Sequence, residues 1–302
     1  MSKKLLLGII VVLLITNIAT LTFMDRSDAV VINEEDGEET KVSNKEPVAT
    51  IDGEKIKYAD WVTALRGNHG EQQLEAMIDR HIVSNLAAEK DIEIHEKVIE
   101  RELAYLTSMQ GAMTEEEFLV EEEKWREEIV YRYQLELLLT EDVDVPADEV
   151  QSYYNSYKNQ YDFTPAMQFS HILVQNMDTA EKVYSELEEG ASFDLLAREY
   201  SLDDETKQVG GYLGFINTNS QFFPNGYEEV AADMDEHSYS EPFAADAGIA
   251  IIYLHQKLPG IEFSFEEIEP YVKSELALHN NKITLDAKAL WDNVDIDWIY
   301  SK

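Results

Sequence analysis

The chain has 302 residues, with 61 acidic against 24 basic side chains, a formal net charge of -37 and no cysteine. A field of that sign repels phosphate backbones and argues against nucleic acid as a partner. The missing thiols exclude disulfides, thiolate metal sites, cysteine nucleophiles and lipid attachment through cysteine. Hydrophobic residues make up 44% of the sequence, which favours packed cores over disorder. The histidines are scattered without His-Glu-x-x-His spacing, so neither a metal nor a cofactor is expected.

Lys3 and Lys4 precede a run from Leu5 to Phe23 that holds no charged residue. At a rise of about 1.5 Å per residue, such a run covers most of a hydrocarbon core of ~30 Å. Positive charge before it and acids after it (Asp25, Asp28, Glu34, Glu35) place the N-terminus inside. Residues 1–24 are therefore expected to be a transmembrane anchor, with a cleaved signal as the alternative; either way the rest is exported. Residues 25–46 are polar and acidic and read as a flexible linker.

Asp52-Gly53, between Val48-Ala49-Thr50-Ile51 and Glu54-Lys55-Ile56, predicts a hairpin. Leu74, Met77, Ile78, Ile82 and Leu86 then share one helical face. A second helical stretch runs from about Thr114 to Leu139, carrying Phe118, Trp125, Ile129, Tyr133 and Leu137. Val145-Pro146 opens a third, leading into Tyr153, Tyr154 and Tyr157.

The texture changes near Thr164-Pro165. Phe169 to Val174 reads as a strand, and Asp178 caps a helix that buries Ala180, Val183, Tyr184 and Leu187 and closes at Gly190. Ser192 caps another, with Phe193, Leu196, Ala197 and Tyr200 on one face. Gly210-Gly211 marks a turn before Tyr212-Leu213-Gly214-Phe215. A short helix around 226–234 and two strand-like segments, near 240–243 and 248–254, complete the unit. After Pro259-Gly260 the helical texture returns, with Ser264 and Glu267 as a capping box. Trp291, Ile296 and Trp298 give the last segment apolar area to dock on the earlier helices. The expected class is α+β. Residues 47–163 and 259–302 form one discontinuous helical domain, and a smaller domain at 164–258 is inserted in it.

The ordered series Phe169-Ser170-His171-Ile172-Leu173-Val174, Gly190-Ala191-Ser192-Phe193, Leu196-Ala197, Glu199-Tyr200-Ser201 and Gly210-Gly211-Tyr212-Leu213-Gly214 resembles the parvulin-type peptidyl-prolyl cis-trans isomerases. The flanks, including Val48 to Ile56, resemble PrsA-type secretion foldases and SurA-type periplasmic chaperones, whose N- and C-terminal helices form a chaperone module around the isomerase. The resemblance implies an antiparallel sheet with surrounding helices. By motif position, His171 matches the family's first active-site histidine and Asp203 the place of a Cys or Asp. Leu213 matches an apolar wall, and Phe223 and Tyr227 the Met and Phe of the proline pocket. The spacing from Leu213 is longer than usual, so Phe222 is an alternative to Phe223. Where the family's last strand reads G-x-H-I-I, this chain has Gly248-Ile249-Ala250-Ile251-Ile252, so the second histidine of the network is Ala250.

Taken apart from the motif, His171 also reads as a satisfied core histidine, Asp203 as a solvated loop acid, and Phe223 with Tyr227 as ordinary core. The resemblance implies a membrane-held, extracytoplasmic folding factor acting on exported, unfolded proteins with Xaa-Pro bonds. A homodimer is an open assembly. The alternative is a client-holding chaperone whose isomerase domain is inactive. Gln175-Asn176-Met177-Asp178 carries no basic cluster, which argues against a phosphoserine-proline preference.

Overall fold

The computed structural model describes residues 29–33 and 39–300; the run Leu5 to Phe23, and with it the expected anchor, lies outside them. Among the described residues, no helix is long and apolar enough to cross a membrane. They fall into two compact units, one reaching to Asp79 and taking in 297–300, the other Arg80–Ile296.

In the first unit, β1 (Ala29–Asn33) pairs antiparallel with β2 (Glu39–Ser43), within the stretch whose composition reads as a linker. β3 (Pro47–Ile51) pairs with β4 (Glu54–Lys57) through the Asp-Gly turn. Asp52 has φ 51° and Gly53 φ 89°, the left-handed pair that a two-residue hairpin turn demands. Helix α1 (Tyr58–Glu89) follows and continues into the second unit. Of its apolar stripe, Ile82 and Leu86 are buried together with Val83 and Ala87, whereas Met77 is 58% exposed.

The second unit contains two kinds of layer. Helices α2 (Glu96–Ser108), α3 (Glu115–Thr140) and α4 (Ala147–Tyr157) enclose a core built on Val98, Ile129, Tyr133, Val150 and Tyr154. Helix α8 (Phe265–Asn281), far along the chain, adds Ile268, Val272 and Leu276 to the same core. Both α3 and α8 begin with a reciprocal capping box, Thr114 with Glu117 and Ser264 with Glu267, satisfying N–H groups that the first turn leaves without partners. The C-terminal helix thus completes a cluster begun well over a hundred residues earlier. An isolated antiparallel bridge between Phe163 and Ile261 ties the chain entering the sheet to the chain leaving it.

Between these crossings lies the sheet, ordered β6 (Tyr212–Asn217), β5 (Ala166–Val174), β9 (Gly248–Leu258), β7 (Ser238–Tyr239), with β8 (Phe243–Ala245) also on β9. All the pairings are antiparallel. β5 is buried on both faces, and its alternation decides what each face meets. Ile172 and Val174, with Ile251, face α5 (Met177–Glu188) and α6 (Phe193–Tyr200) through Ala180, Val183, Leu187 and Leu196. Phe169, with Ala250, Ile252 and Leu254, faces Tyr227 and Ala231 of the short helix α7 (Tyr227–Ala232). Asn176, not Asp178, caps α5: its side chain accepts the Thr179 N–H at 3.0 Å, which leaves Asp178 inside the first turn.

Candidate active site

His171 stands on the face of β5 turned toward α7 and is 8% exposed. Its ring has a partner at each nitrogen: Nε2 lies 2.8 Å from Asp203 Oδ2, and Nδ1 lies 2.8 Å from the Tyr227 hydroxyl. The two partners differ in what they can offer. Asp203 as a carboxylate only accepts, so Nε2 carries the proton, and Nδ1 accepts from the tyrosine O–H.

The loop after α6 is built to hold that carboxylate. Ser201 ends the helix, and its Oγ accepts from the N–H groups of Leu173 and Asp203, both at 3.3 Å. Thr206 donates its hydroxyl to Asp203 Oδ2 and also sits 3.3 Å from His171 Nε2. The Glu205 N–H donates to Asp203 Oδ1 at 3.1 Å. Burial alone would raise the Asp203 pKa; the hydrogen bonds from Thr206, His171 and the Glu205 amide outweigh it and hold the carboxyl below its ordinary range. Burial pushes the Tyr227 phenol well above its ordinary value, with the nearby Asp203 charge adding to it, so Tyr227 keeps its proton.

The apolar side of the site is the cluster around Phe169. Leu213 and Phe223 pack partly buried against it, and the Phe223 ring meets Phe169 edge-on at 5.8 Å. Phe222 is 78% exposed, so of the two neighbours Phe223 stands in the cluster and Phe222 in solvent. Tyr227 is 2% exposed, with its ring edge-on to Phe169 at 6.1 Å and to Phe243 at 5.3 Å. Ala250 is fully buried in the same cluster, against Phe243 across the strand pair.

The structure therefore brings together all five residues singled out from the sequence: His171, Asp203 and Tyr227 by direct hydrogen bonds, Leu213 and Phe223 through the apolar cluster. Three features escaped sequence reasoning. Ser201 and Thr206 flank Asp203 in a Ser-x-Asp-x-x-Thr pattern, whose hydroxyl spacing was the available signal. The hydroxyl that distinguishes Tyr227 from the family's phenylalanine was the signal for its bond to His171. Gly211 is more than a turn residue: at φ 75° its carbonyl accepts the His171 N–H at 2.9 Å.

A profile described as "Rotamase: PPIC-type PPIASE domain" matches residues 173–256. YacD of Bacillus subtilis (strain 168), provisionally named a peptidyl-prolyl cis-trans isomerase, is 33% identical over 261 residues, covering 86% of this chain and 88% of its own. The foldase protein PrsA of Halalkalibacterium halodurans is 32% identical over 246 residues, covering 78% of this chain and 71% of its own. The chain belongs to the parvulin-type foldase family of YacD and PrsA. PrsA of Geobacillus kaustophilus is also similar, 28% identical over 264 residues, covering 86% of this chain and 84% of its own. The foldase is accordingly a protein-folding factor with a peptidyl-prolyl cis-trans isomerase domain, and the strand order β6-β5-β9-β7 is the antiparallel sheet of that domain.

Proposed function

We propose that the chain is an extracytoplasmic folding factor, held at the membrane by the run Leu5 to Phe23, that isomerises Xaa-Pro bonds of exported proteins at the site around His171. The helices of 47–163 and 259–302 act in this reading as a client-holding module around the isomerase at 164–258.

The observation that carries the reading is the double hydrogen bonding of His171, from Asp203 on one nitrogen and Tyr227 on the other. Prolyl isomerisation breaks no covalent bond; the imide must rotate over a barrier of about 20 kcal/mol maintained by resonance. Catalysis calls for groups that favour the twisted imide over both planar forms, and such groups must not reorganise as it twists. An imidazole fixed in one tautomer and one orientation meets that demand. Ala250 leaves His171 without the second family histidine, and the Tyr227 hydroxyl takes over the orienting bond. In this scheme Leu213 and Phe223 hold the proline ring, and Tyr227 backs the pocket while positioning His171.

Prolyl exchange on an Ala-Pro peptide, followed by NMR with the full-length chain, tests this directly. We expect catalysis in the wild type and its loss in His171→Ala. Tyr227→Phe, which keeps the ring and removes one hydrogen bond of about 1 kcal/mol, should lower kcat/KM by roughly five- to tenfold. Exchange no faster than the uncatalysed rate in the wild type would favour the alternative suggested by Ala250, a client-holding chaperone with an inactive isomerase domain.

A further inference from the structure

The face of the sheet opposite His171 carries a groove that the isomerase site does not use. Ser170 is paired in register with both Tyr212 and Tyr253, so these three side chains share the face turned away from His171 and Ile252. Between them, the start of α6 and the turn joining α2 to α3, lies a cavity of about 720 Å³. Its wall is aromatic: Phe193 lies 5.6 Å from Tyr253, Tyr253 4.8 Å from His255, and His255 5.7 Å from Tyr212, centroid to centroid. A second cavity of about 240 Å³, reaching Phe118 and Gln256, shares Met113, Thr114, Glu115 and His237 with the first. The two lobes together form a channel suited to an extended chain.

The charge of this channel is one-sided. Glu115 and Asp194 line the larger lobe and Glu236 the smaller, and among the described residues no lysine or arginine lines either. Burial, with a smaller contribution from His237 nearby, pushes His255 down to about 4. Its ring, 2.8 Å from the Ser170 hydroxyl through Nε2, is therefore neutral at ordinary pH and presents aromatic surface instead of a cation. The N-termini of α6 and α3 open here, each contributing about half a positive charge. Asp194 and Glu115 in those first turns more than offset them. Arg198, 3.1 Å from Asp194, neutralises part of one acid, but Glu115 and Glu236 remain, within a chain of net charge -37. The 59% exposed Val209 adds apolar surface at the rim.

We propose that this groove binds an extended cationic segment of an unfolded client, seating a lysine or arginine side chain over the rings of Phe193, Tyr212 and Tyr253. Aromatic faces attract such cations, more strongly when water is partly excluded, and the carboxylates fix the sign of the ligand. The proposal rests on the reading of the protein as a folding factor and gives its client-holding function a site separate from the isomerase face. A segment held here keeps a nearby Xaa-Pro bond at high local concentration for the other face.

Fluorescence anisotropy with the full-length protein and two short, proline-free, unstructured peptides tests it. One peptide carries lysines beside an aromatic residue; the other has each lysine replaced by glutamine. The lysine peptide should bind at least roughly tenfold more tightly, about 1.4 kcal/mol. Glu115→Lys should abolish that preference, and Tyr253→Leu should weaken the lysine peptide's binding. Neither should change exchange on a short Ala-Pro peptide. Equal binding of the two peptides, or a preference that survives Glu115→Lys, overturns the proposal. Glu115 is exposed, so that variant decides the matter even if circular dichroism shows Tyr253→Leu to be unfolded. Lysine-peptide binding without any exchange activity would remove the isomerase reading and leave the groove standing; exchange without lysine preference would do the reverse.

Discussion

Asp203 and Tyr227 hold the two nitrogens of His171 in opposite senses, one accepting and one donating, so a change at either partner propagates through the ring to the other. Asp203→Asn shows how. The amide keeps one oxygen, which satisfies either the Glu205 N–H or the donors on the other side, but not both. With its NH2 turned to His171, Nε2 becomes an acceptor, the proton moves to Nδ1, and the Tyr227 hydroxyl must reverse and accept. We expect Asp203→Asn to lower prolyl-exchange activity by roughly 10- to 100-fold, the range spanned by losing a charge-assisted hydrogen bond of about 1.5–3 kcal/mol. The ¹⁵N shifts of the His171 ring should report the change of tautomer. Unchanged ring shifts together with unchanged activity would mean that Asp203 is only a solvated loop acid. The pH dependence follows with a definite sign. The folded-state pKa of Asp203 is depressed, so the stability it contributes is present above the unfolded value of 3.8 and is lost as pH falls below it. Asp203→Asn should therefore lower stability across the neutral region and flatten the acid limb, the two proteins converging as pH falls below that value.

Strand β5 carries the imidazole and is held at His171 by its pairing with Ile252 of β9 on one side and by the backbone of Gly211 on the other. The His171 N–H donates to the Gly211 carbonyl at 2.9 Å, and a Cβ placed on Gly211 would overlap the carbonyl oxygen of His171. The residue also sits at φ 75°, a region where a side chain costs about 1–3 kcal/mol even in open space. Gly211→Ala should thus destabilise by more than about 2 kcal/mol and reduce prolyl exchange further than its loss of folded protein explains. Urea titration read beside activity separates the two, and a fully active variant of wild-type stability would refute the argument. This contact also marks a boundary of what sequence reveals. The strand at Phe169 to Val174, the Asp-Gly hairpin and the Ser264–Glu267 capping box are local patterns, written in neighbouring residues, and the structure contains each of them. Gly210-Gly211 reads as a turn because glycine's tolerance of positive φ is local, whereas its approach to β5 depends on the pairing of β6 with β5. The extra hydroxyl of Tyr227 is visible in the sequence but its partner is not, for the same reason: His171 lies 56 residues away and is met only once α7 packs on the sheet. The groove on the opposite face combines the register of three strands with a turn from the helical layer, which no single stretch of sequence displays.

At the scale of the whole molecule the net charge of -37 acts on everything at once. Like charges brought together on folding repel, so the compact state bears an electrostatic penalty that the expanded chain partly escapes. Against this stand ion pairs such as Arg80 with Glu128, Lys90 with Glu141 and Lys124 with Glu121, all of them solvent-exposed and so of little individual worth. Salt weakens both contributions, shrinking the screening length from about 8 Å at 0.15 M to about 3 Å at 1 M. Because the repulsion sums over 61 acids against 24 bases and each exposed pair is weak, screening should stabilise this fold. The urea midpoint should rise by roughly 0.5 M between 0.05 and 1 M NaCl, about 1 kcal/mol at the usual slopes. A midpoint that falls with salt would show that the ion pairs outweigh the repulsion. The same screening weakens the attraction of the acidic groove for a cationic segment. Lysine-peptide affinity should therefore drop across the range in which stability rises, while exchange on an uncharged Ala-Pro peptide stays level. Three opposed salt responses from one protein would separate the field of the whole chain from the chemistry at His171, since only the latter is built from short, partly buried hydrogen bonds that salt barely reaches.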